Sequence, residues 1–306
     1  MLPRRNVLVF HSGALGDFVL TWPLAVALGR LFPQSRLFYV TQRQKGLLAE
    51  RVLRVESVDG EGGWHHLFSE SPDLPEAAAN LLARAHAVFT FVAGPDSIWT
   101  RNVAQVAPEA QVVSLSQSTP GDFAGHVADY LVEQLKAWPI YEQAVTQILR
   151  SVENRGVSTA VSVGDVPVLH PGSGSPHKCW PVERYLQLAR RLGELGARPR
   201  IVLGEVEAET WPAAQIDAFA AAGELHRPTD LLGLLDSFRG AGVFVGNDSG
   251  PGHLAGILGI PTVSLFGPTD PARWRPLGPR VSVIRKVPLE ALEVDAVQEE
   301  MRRSAG

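Results

Sequence analysis

The chain has 306 residues, 45% hydrophobic and 20% charged, with a formal net charge of −4. That length exceeds one ordinary core and suggests two domains. The composition is globular, and the mild acidity disfavours a nucleic-acid partner. The single cysteine, Cys179, excludes an internal disulfide and a multi-cysteine metal site, and fits a cytosolic compartment. No apolar run approaches the ~20 residues that span a bilayer. The VLVF run after Arg4 and Arg5 is shorter than the ~7–15 residues of a signal-peptide core, so it reads as a strand.

In chain order, Asn6 to Phe10 is strand one and HSGALGD is the turn after it. Apolar residues at helical spacing follow from Phe18 to Leu31, which starts a helix near Asp17. Arg36 to Val40 is strand two, completing the βαβ opening of a doubly wound sheet. Leu47 to Leu53 reads as a helix, Val55 to Val58 as a weak strand, Pro75 to His86 as a helix and Val88 to Val92 as a strand. Gln111 to Leu115 is another strand, and Phe123 to Trp138 a helix with an apolar stripe.

Asn154, Gly156, Ser158 and Gly164 make 150–165 polar and glycine-bearing, the place for a domain boundary. The pattern then restarts. Pro167 to His170 is a strand, PGSGSPHKCWP a loop, and Val182 to Leu195 a helix. Arg200 to Leu203 is a strand running into Gly204-Glu205, followed by helices over Trp211 to Ala222 and Leu231 to Arg239. Glu290 to Arg303 is a terminal helix. There is no finer repeat and no low-complexity segment.

The most informative stretch runs from Gly242 to Trp274. GVFVG is the length of a buried strand, and Asn247, Asp248, Ser249 and Gly250 are turn formers and helix caps. HLAGIL is a small-residue helix, and TVSLFG a second strand. In an open parallel sheet, ligands bind outside the carboxyl ends of strands. Asp248, Ser249, Gly250 and His253 belong at such an end, where the free N–H groups of a helix start suit a phosphate. Pro251 fits the first turn, where its missing N–H costs nothing.

DSGPGH (248–253) and FGPTDP (266–271) resemble the C-terminal motifs of the family 9 glycosyltransferases, the lipopolysaccharide heptosyltransferases. That family carries Asp-(Ser/Thr)-Gly-x-x-His followed by Phe/Tyr-Gly-Pro-Thr-Asp-Pro. The resemblance extends over motifs from residue 13 to 271. It implies a GT-B architecture, two Rossmann-like doubly wound α/β domains with the active site in the cleft between them. The expected division is an acceptor-binding domain over 1–160 and a donor-binding domain over 161–289. A terminal helix over about 290–306 would pack back on the first domain, as is common in GT-B proteins.

Asp17 has two readings. It is placed as a general base for an acceptor hydroxyl, or as an N-cap needing only a short polar side chain. The cap is favoured on the residues alone. The family has a similar Gly-Asp after strand one whose Asp is the proposed base, and that reverses the order. The 170–181 segment, HPGSGSPHKCWP, offers Ser173, Gly174 and Ser175 for close approach to a diphosphate, and Lys178 as a point charge. It is similar to the family's His-Pro-Gly-(small)-x-x-x-Lys-x-Trp-Pro segment. The resemblance makes these donor-phosphate residues and gives Lys178 the catalytic role of taking the developing diphosphate charge. The competing reading is a polar loop with a solvated lysine, which does not account for Trp180-Pro181 directly before a helix. Glu205 ends the second strand of the second half, where an acid bonds ribose hydroxyls in dinucleotide folds; otherwise it is one exposed glutamate among Glu207 and Glu209. The family's Gly-Glu at this point assigns it the ribose. Thr229, ahead of a helix, is a candidate for the nucleobase pocket. His65, His66, His86, His126 and His226 earn no role. Arg43, Lys45 and Arg101 are candidates for an anionic acceptor, with a solvated basic face the favoured reading.

A nicotinamide dehydrogenase needs GxGxxG, and a P-loop kinase GxxxxGK(S/T); neither is present. No two aspartates lie two apart, so the Asp-x-Asp of many metal-dependent glycosyltransferases is missing. A non-catalytic protein of this fold would be expected to lose Asp17 or Lys178, and both are kept. The resemblance therefore implies inverting, metal-independent transfer of heptose from ADP-heptose to a hydroxyl of a lipopolysaccharide core or related glycan. No cofactor is expected. The enzyme would be cytoplasmic, meeting its glycan or glycolipid acceptor at the inner membrane surface. Another nucleotide sugar or acceptor remains an alternative on the same fold.

Overall fold

The structure is a computed structural model and describes residues 5–157, 162 and 164–305. The chain divides into two compact units, Met1–Phe123 with Val127–Leu149, and Ala124–His126 with Arg150–Gly306. The division falls between Leu149 and Arg150, inside a helix and at the near edge of the stretch 150–165 expected to hold the boundary, of which 158–161 and 163 lie outside the described residues.

The first unit contains β1 (Asn6–Phe10), α1 (Leu15–Leu20), α2 (Trp22–Leu31), β2 (Arg36–Thr41), α3 (Arg43–Leu53) and β3 (Glu56–Asp59). It continues with α4 (Glu76–Ala83), β4 (Ala85–Thr90), α5 (Ile98–Val106), β5 (Gln111–Ser114), α6 (Val127–Gln134) and α7 (Pro139–Arg155). Its five parallel strands run in the order β3-β2-β1-β4-β5. β1 is buried along its whole length, as a central strand covered on both faces must be. The single helix expected over 18–31 is two, because Pro23 has no N–H to continue the ladder. The chain turns at Thr21, whose hydroxyl donates to the Phe18 carbonyl at 2.7 Å. α5 and α7 were not expected. Ser97 caps α5 by accepting from the Thr100 N–H at 3.2 Å.

The second unit contains β6 (Val166–His170), α8 (Val182–Glu194), β7 (Arg200–Val202), α9 (Glu205–Thr210), α10 (Ala213–Ala222) and β8 (Glu224–His226). Then come α11 (Leu231–Asp236), β9 (Ala241–Asn247), α12 (Gly250–Ile257), β10 (Thr262–Phe266), α13 (Pro271–Trp274), β11 (Val281–Arg285) and α14 (Val294–Ala305). β8 and β11 were not expected. The sheet order is β11-β10-β9-β6-β7-β8. Counted from the start of the unit this is 3-2-1-4-5-6, the doubly wound dinucleotide order, with its switch point between β6 and β9. α8 buries Tyr185, Leu188, Ala189 and Leu192, a stripe at helical spacing.

The terminal helix corrects an expectation. Val294, Val297 and Met301 on α14 pack into the same core as α8 and Val245, Val263 and Leu265, so the helix belongs to the second unit and not the first. The apolar stripe of α14 is matched there by buried residues of β9 and β10.

Candidate active site

The second unit's switch point places two loops side by side, the one after β6 (170–181) and the one after β9 (247–250). Asn247, the last residue of β9 and fully buried, ties them together. Its amide donates to the carbonyls of Pro171 at 2.8 Å and Gly172 at 3.2 Å. Its oxygen accepts the Trp180 N–H at 2.9 Å and the Tyr185 hydroxyl at 3.1 Å. Trp180 is fully buried and donates its indole N–H to the Leu292 carbonyl at 2.9 Å, wedging the far end of the loop against the core.

This anchoring brings the predicted residues into one cluster. Lys178 Nζ lies 2.8 Å from Asp248 Oδ2, and the Ser173 hydroxyl donates to the Asp248 carbonyl at 3.1 Å. His253 Nε2 is 4.0 Å from Asp248 Oδ1. Burial holds the His253 pKa down at about 4, with the nearby Asp248 carboxylate opposing and His126 and Lys178 adding to the depression. The imidazole is therefore neutral near pH 7. Among the described residues, His253 Nδ1 and the Ser249, Ser264 and Thr269 hydroxyls are buried without a hydrogen-bond partner. Such groups in a native protein call for a ligand, ion or water. Ser249 is extended and precedes α12, which opens on Gly250 and Pro251. Gly174 is exposed with open space where a Cβ would stand, so backbone can be approached there. Ser175 accepts the Lys178 N–H at 3.0 Å through its carbonyl, which closes the turn carrying the lysine.

The acid beside this cluster is not the expected one. Glu205 is exposed at the first position of α9. Glu207, two residues on, is buried with its carboxylate against Gly172 and Gly204. A Cβ at Gly172 would collide with Glu207 Oε1, and one at Gly204 would come within 2.7 Å of Oε2. Position 205 opens the helix, where its side chain points to solvent; one half-turn later the side chain returns to the strand ends. Thr229 lies exposed between β8 and α11. His126 was given no role, yet it sits in the second unit, buried, with Nε2 2.8 Å from the Arg275 carbonyl and close enough to depress His253.

In the first unit, Asp17 is the third residue of α1, and extended Ala14 is the N-cap. Asp17 therefore lies in the first turn, facing the positive helix end, and is not the cap residue itself. Lys45 of α3 is 7% exposed and donates to the Gly13 carbonyl. Its burial lowers its pKa, and the Asp17 charge partly restores it. Lys45 is thus no solvated surface cation, unlike exposed Arg43 and Arg101. His11, at the end of β1, is pushed down to about 3 by burial and then by Lys45. Among the described residues no group of three or more His, Cys, Asp or Glu is arranged to hold a metal ion. No helix among them is long and apolar enough to cross a membrane.

Two doubly wound units, one with a polar cradle at its switch point and the other with a carboxylate just after its first strand, define a GT-B protein. The chain belongs to glycosyltransferase family 9 (heptosyltransferase), whose sequence model matches residues 130–301. Lipopolysaccharide heptosyltransferase 1 of Pseudomonas aeruginosa is 37% identical over 94 residues, 31% of this chain and 26% of its own length. Lipopolysaccharide heptosyltransferase 3 of Escherichia coli K12 is 30% identical over 118 residues, 36% of this chain and 33% of its own length. These curated relatives are thus matched over a quarter to a third of their length. The solved E. coli ADP-heptose lipopolysaccharide heptosyltransferase II shares the fold at TM-score 0.70 and 19% identity, over 98% of both chains. E. coli heptosyltransferase WaaC with ADP does so at TM-score 0.68 and 19% identity, over 98% of this chain and 99% of that one.

Proposed function

We propose that the chain is an inverting glycosyltransferase that moves heptose from ADP-heptose to a hydroxyl of a lipopolysaccharide core or related glycan. The carrying observation is the convergence of Lys178, Asp248, Ser173 and the start of α12 at the second unit's switch point. A diphosphate there meets the ammonium of Lys178, the backbone and hydroxyls of 173–175, and the 249–253 turn. The Ser249 hydroxyl and His253 Nδ1, both buried atoms without a hydrogen-bond partner, are ready donors for its oxygens. The ribose falls to Glu207 instead of Glu205, since only Glu207 carries its carboxylate to the strand ends.

Asp17 takes the proton from the acceptor hydroxyl as that oxygen attacks the anomeric carbon. The carbon–oxygen bond to the diphosphate breaks, and its electron pair leaves with ADP. Attack opposite the leaving group inverts the anomeric centre. Lys178 and the donors around it stabilise the charge developing on the departing diphosphate, the part a metal plays in other glycosyltransferases. The acceptor is met at the cytoplasmic face of the inner membrane. Calorimetric titration of ADP, UDP, GDP and NAD, each with and without EDTA, tests the reading. ADP should bind tightest and be indifferent to EDTA. Preference for another nucleotide, or a strict need for Mg²⁺, would sink it.

A further inference from the structure

The first unit buries a lysine that the transfer as described leaves unused. Lys45 is the third residue of α3 and is 7% exposed. Three local effects oppose a cation there. Burial strips the ammonium of water. The first turn of a helix carries partial positive charge. That turn reads Arg43-Gln44-Lys45-Gly46, with no acid to offset the charge. The backbone that carries the lysine is nevertheless held in place. Glu50 Oε1 accepts the Ser57 N–H at 3.0 Å and the Ser57 hydroxyl at 2.7 Å, which pins α3 to β3. A Cβ at Gly46 would come within 2.5 Å of that hydroxyl, so the chain beside Lys45 lies close against the sheet. A lysine kept against local preference calls for a partner elsewhere in the fold.

The partner is the turn after β1. β1 and β2 pair in parallel as far as Phe10 and Val40, and the His11 N–H donates to the Val40 carbonyl at 3.0 Å. The two strands therefore exit side by side, β1 into the turn that ends at Ala14 and β2 into α3. Lys45 Nζ crosses between them and donates to the Gly13 carbonyl. Gln117 closes the other side of Gly13. A Cβ there would lie 2.5 Å from its Oε1, and its amide contacts His11 Nε2. Gly13 precedes Ala14, the N-cap of α1, whose carbonyl accepts the Phe18 N–H at 2.9 Å. Fixing the Gly13 carbonyl thus fixes where α1 starts, and Asp17 is the third residue of that helix. The Asp17 carboxylate acts on Lys45 in return, partly offsetting the effect of burial on the ammonium. We propose that Lys45 is a positioning residue for the transfer: it clamps the turn from which α1 presents Asp17, and acts through that carboxylate instead of on the acceptor. This rests on Asp17 being the base of a sugar transfer. A misplacement of about 1 Å at a reacting group costs on the order of a hundredfold in rate, so a clamp on this turn is worth more to the rate than one backbone hydrogen bond is to stability.

The test is a double-mutant cycle on the full chain, read as ADP release from ADP-heptose with a heptose-free lipopolysaccharide core oligosaccharide as acceptor. Lys45→Met keeps an unbranched side chain and removes the ammonium. It should lower kcat by roughly ten- to a hundredfold, with the KM of neither substrate raised. In the Asp17→Asn background the same change should leave the residual rate where it is, because a group acting through Asp17 has nothing left to position. Three results would overturn the inference: an unchanged kcat in Lys45→Met, a rise in KM in place of the fall in kcat, or an equal loss in both backgrounds. The second would make Lys45 a substrate contact and the third a prop of the fold. If Lys45→Met does not fold, the ¹⁵N resonance of the Lys45 ammonium decides. It should shift on Asp17→Asn, and a resonance that stays in place sinks the proposal. Turnover by Asp17→Asn at the wild-type rate would overturn the functional reading and this inference with it. A fully active Lys45→Met beside an inactive Asp17→Asn would remove the clamp alone.

Discussion

Lys178 and Asp248 stand 70 positions apart in the chain, and their side chains form an ion pair of 2.8 Å. The Asp248 side chain is 6% exposed and the Lys178 side chain 35%. The carboxylate is thus fixed by its surroundings, while the ammonium keeps one side open to solvent. A lysine held this way can keep its carboxylate partner and still present N–H groups to an incoming phosphate.

Lys178→Gln should therefore weaken ADP more than AMP. Loss of a charge-assisted hydrogen bond costs about 1.5–3 kcal/mol, which is roughly ten- to a hundredfold in affinity. Calorimetry with both nucleotides checks this. An equal loss for AMP and ADP would place the lysine away from the terminal phosphate.

Glu207→Gln and Glu205→Gln separate the two candidate acids. The first should weaken ADP by roughly tenfold or more and abolish discrimination against 2′,3′-dideoxy-ADP. The second should change neither. Both variants keep the side-chain length, so lost packing does not confuse the comparison. Retained discrimination in Glu207→Gln would remove the ribose assignment from residue 207.

Asp17→Asn should abolish turnover while ADP affinity holds, because every donor-site group lies in the other unit. General-base catalysis is worth roughly 10²–10⁴ in rate. The amide loses a helix-end interaction worth about 0.3–1 kcal/mol, so the melting temperature should move little. Near-normal transfer by the folded variant would leave Asp17 a purely structural residue.

His253 and His11 predict an acid weakness in the fold. Burial depresses them to about 4 and about 3, so both are neutral in the folded chain well below their unfolded value of 6.5. Between those folded values and 6.5 the unfolded chain binds more protons, so stability rises with pH there. Their contribution is complete above pH 6.5 and is lost as pH falls towards 4. Each group adds up to about 1.4 kcal/mol per pH unit within its window. Urea melts from pH 7 to pH 4 should show the loss, and His253→Gln should flatten it. An unchanged slope in that variant would mean that Asp248 keeps the imidazole charged.

Asn247→Ala should cost about 4 kcal/mol or more, because it leaves several buried groups without their partner and each costs about 1–3 kcal/mol. It frees the carbonyls of Pro171 and Gly172, the Trp180 N–H and the Tyr185 hydroxyl. ADP should weaken as well, since the loop bearing Ser173 and Lys178 loses its tie to β9. Denaturant unfolding and calorimetry on one variant measure both effects. A fall in stability with full ADP affinity would show that the loop holds its shape unaided.

The sequence alone determined the two α/β halves, most strands, the loops that hold Lys178 and Asp248, and the helix that carries His253. These follow from periodicity, turn chemistry and spaced motifs, all of which act over a few residues. Asp17 was legible as a residue after strand one, although its place in the first turn and not at the cap was not. Only the tertiary structure decided which carboxylate faces the strand ends. Glu205 and Glu207 are alike in composition and differ by half a helical turn, and the helix start that separates them is set by packing. His126 belongs to the first half by sequence and to the second by its contacts. Asn247 reads as a turn former, yet its four hydrogen bonds reach residues 62 to 76 positions away. The same holds for α14, whose amphipathic stripe shows that it must pack but not against what. Local rules fix the direction of a side chain from its own element; which distant groups meet it depends on how the sheets are ordered, and that is a property of the whole fold.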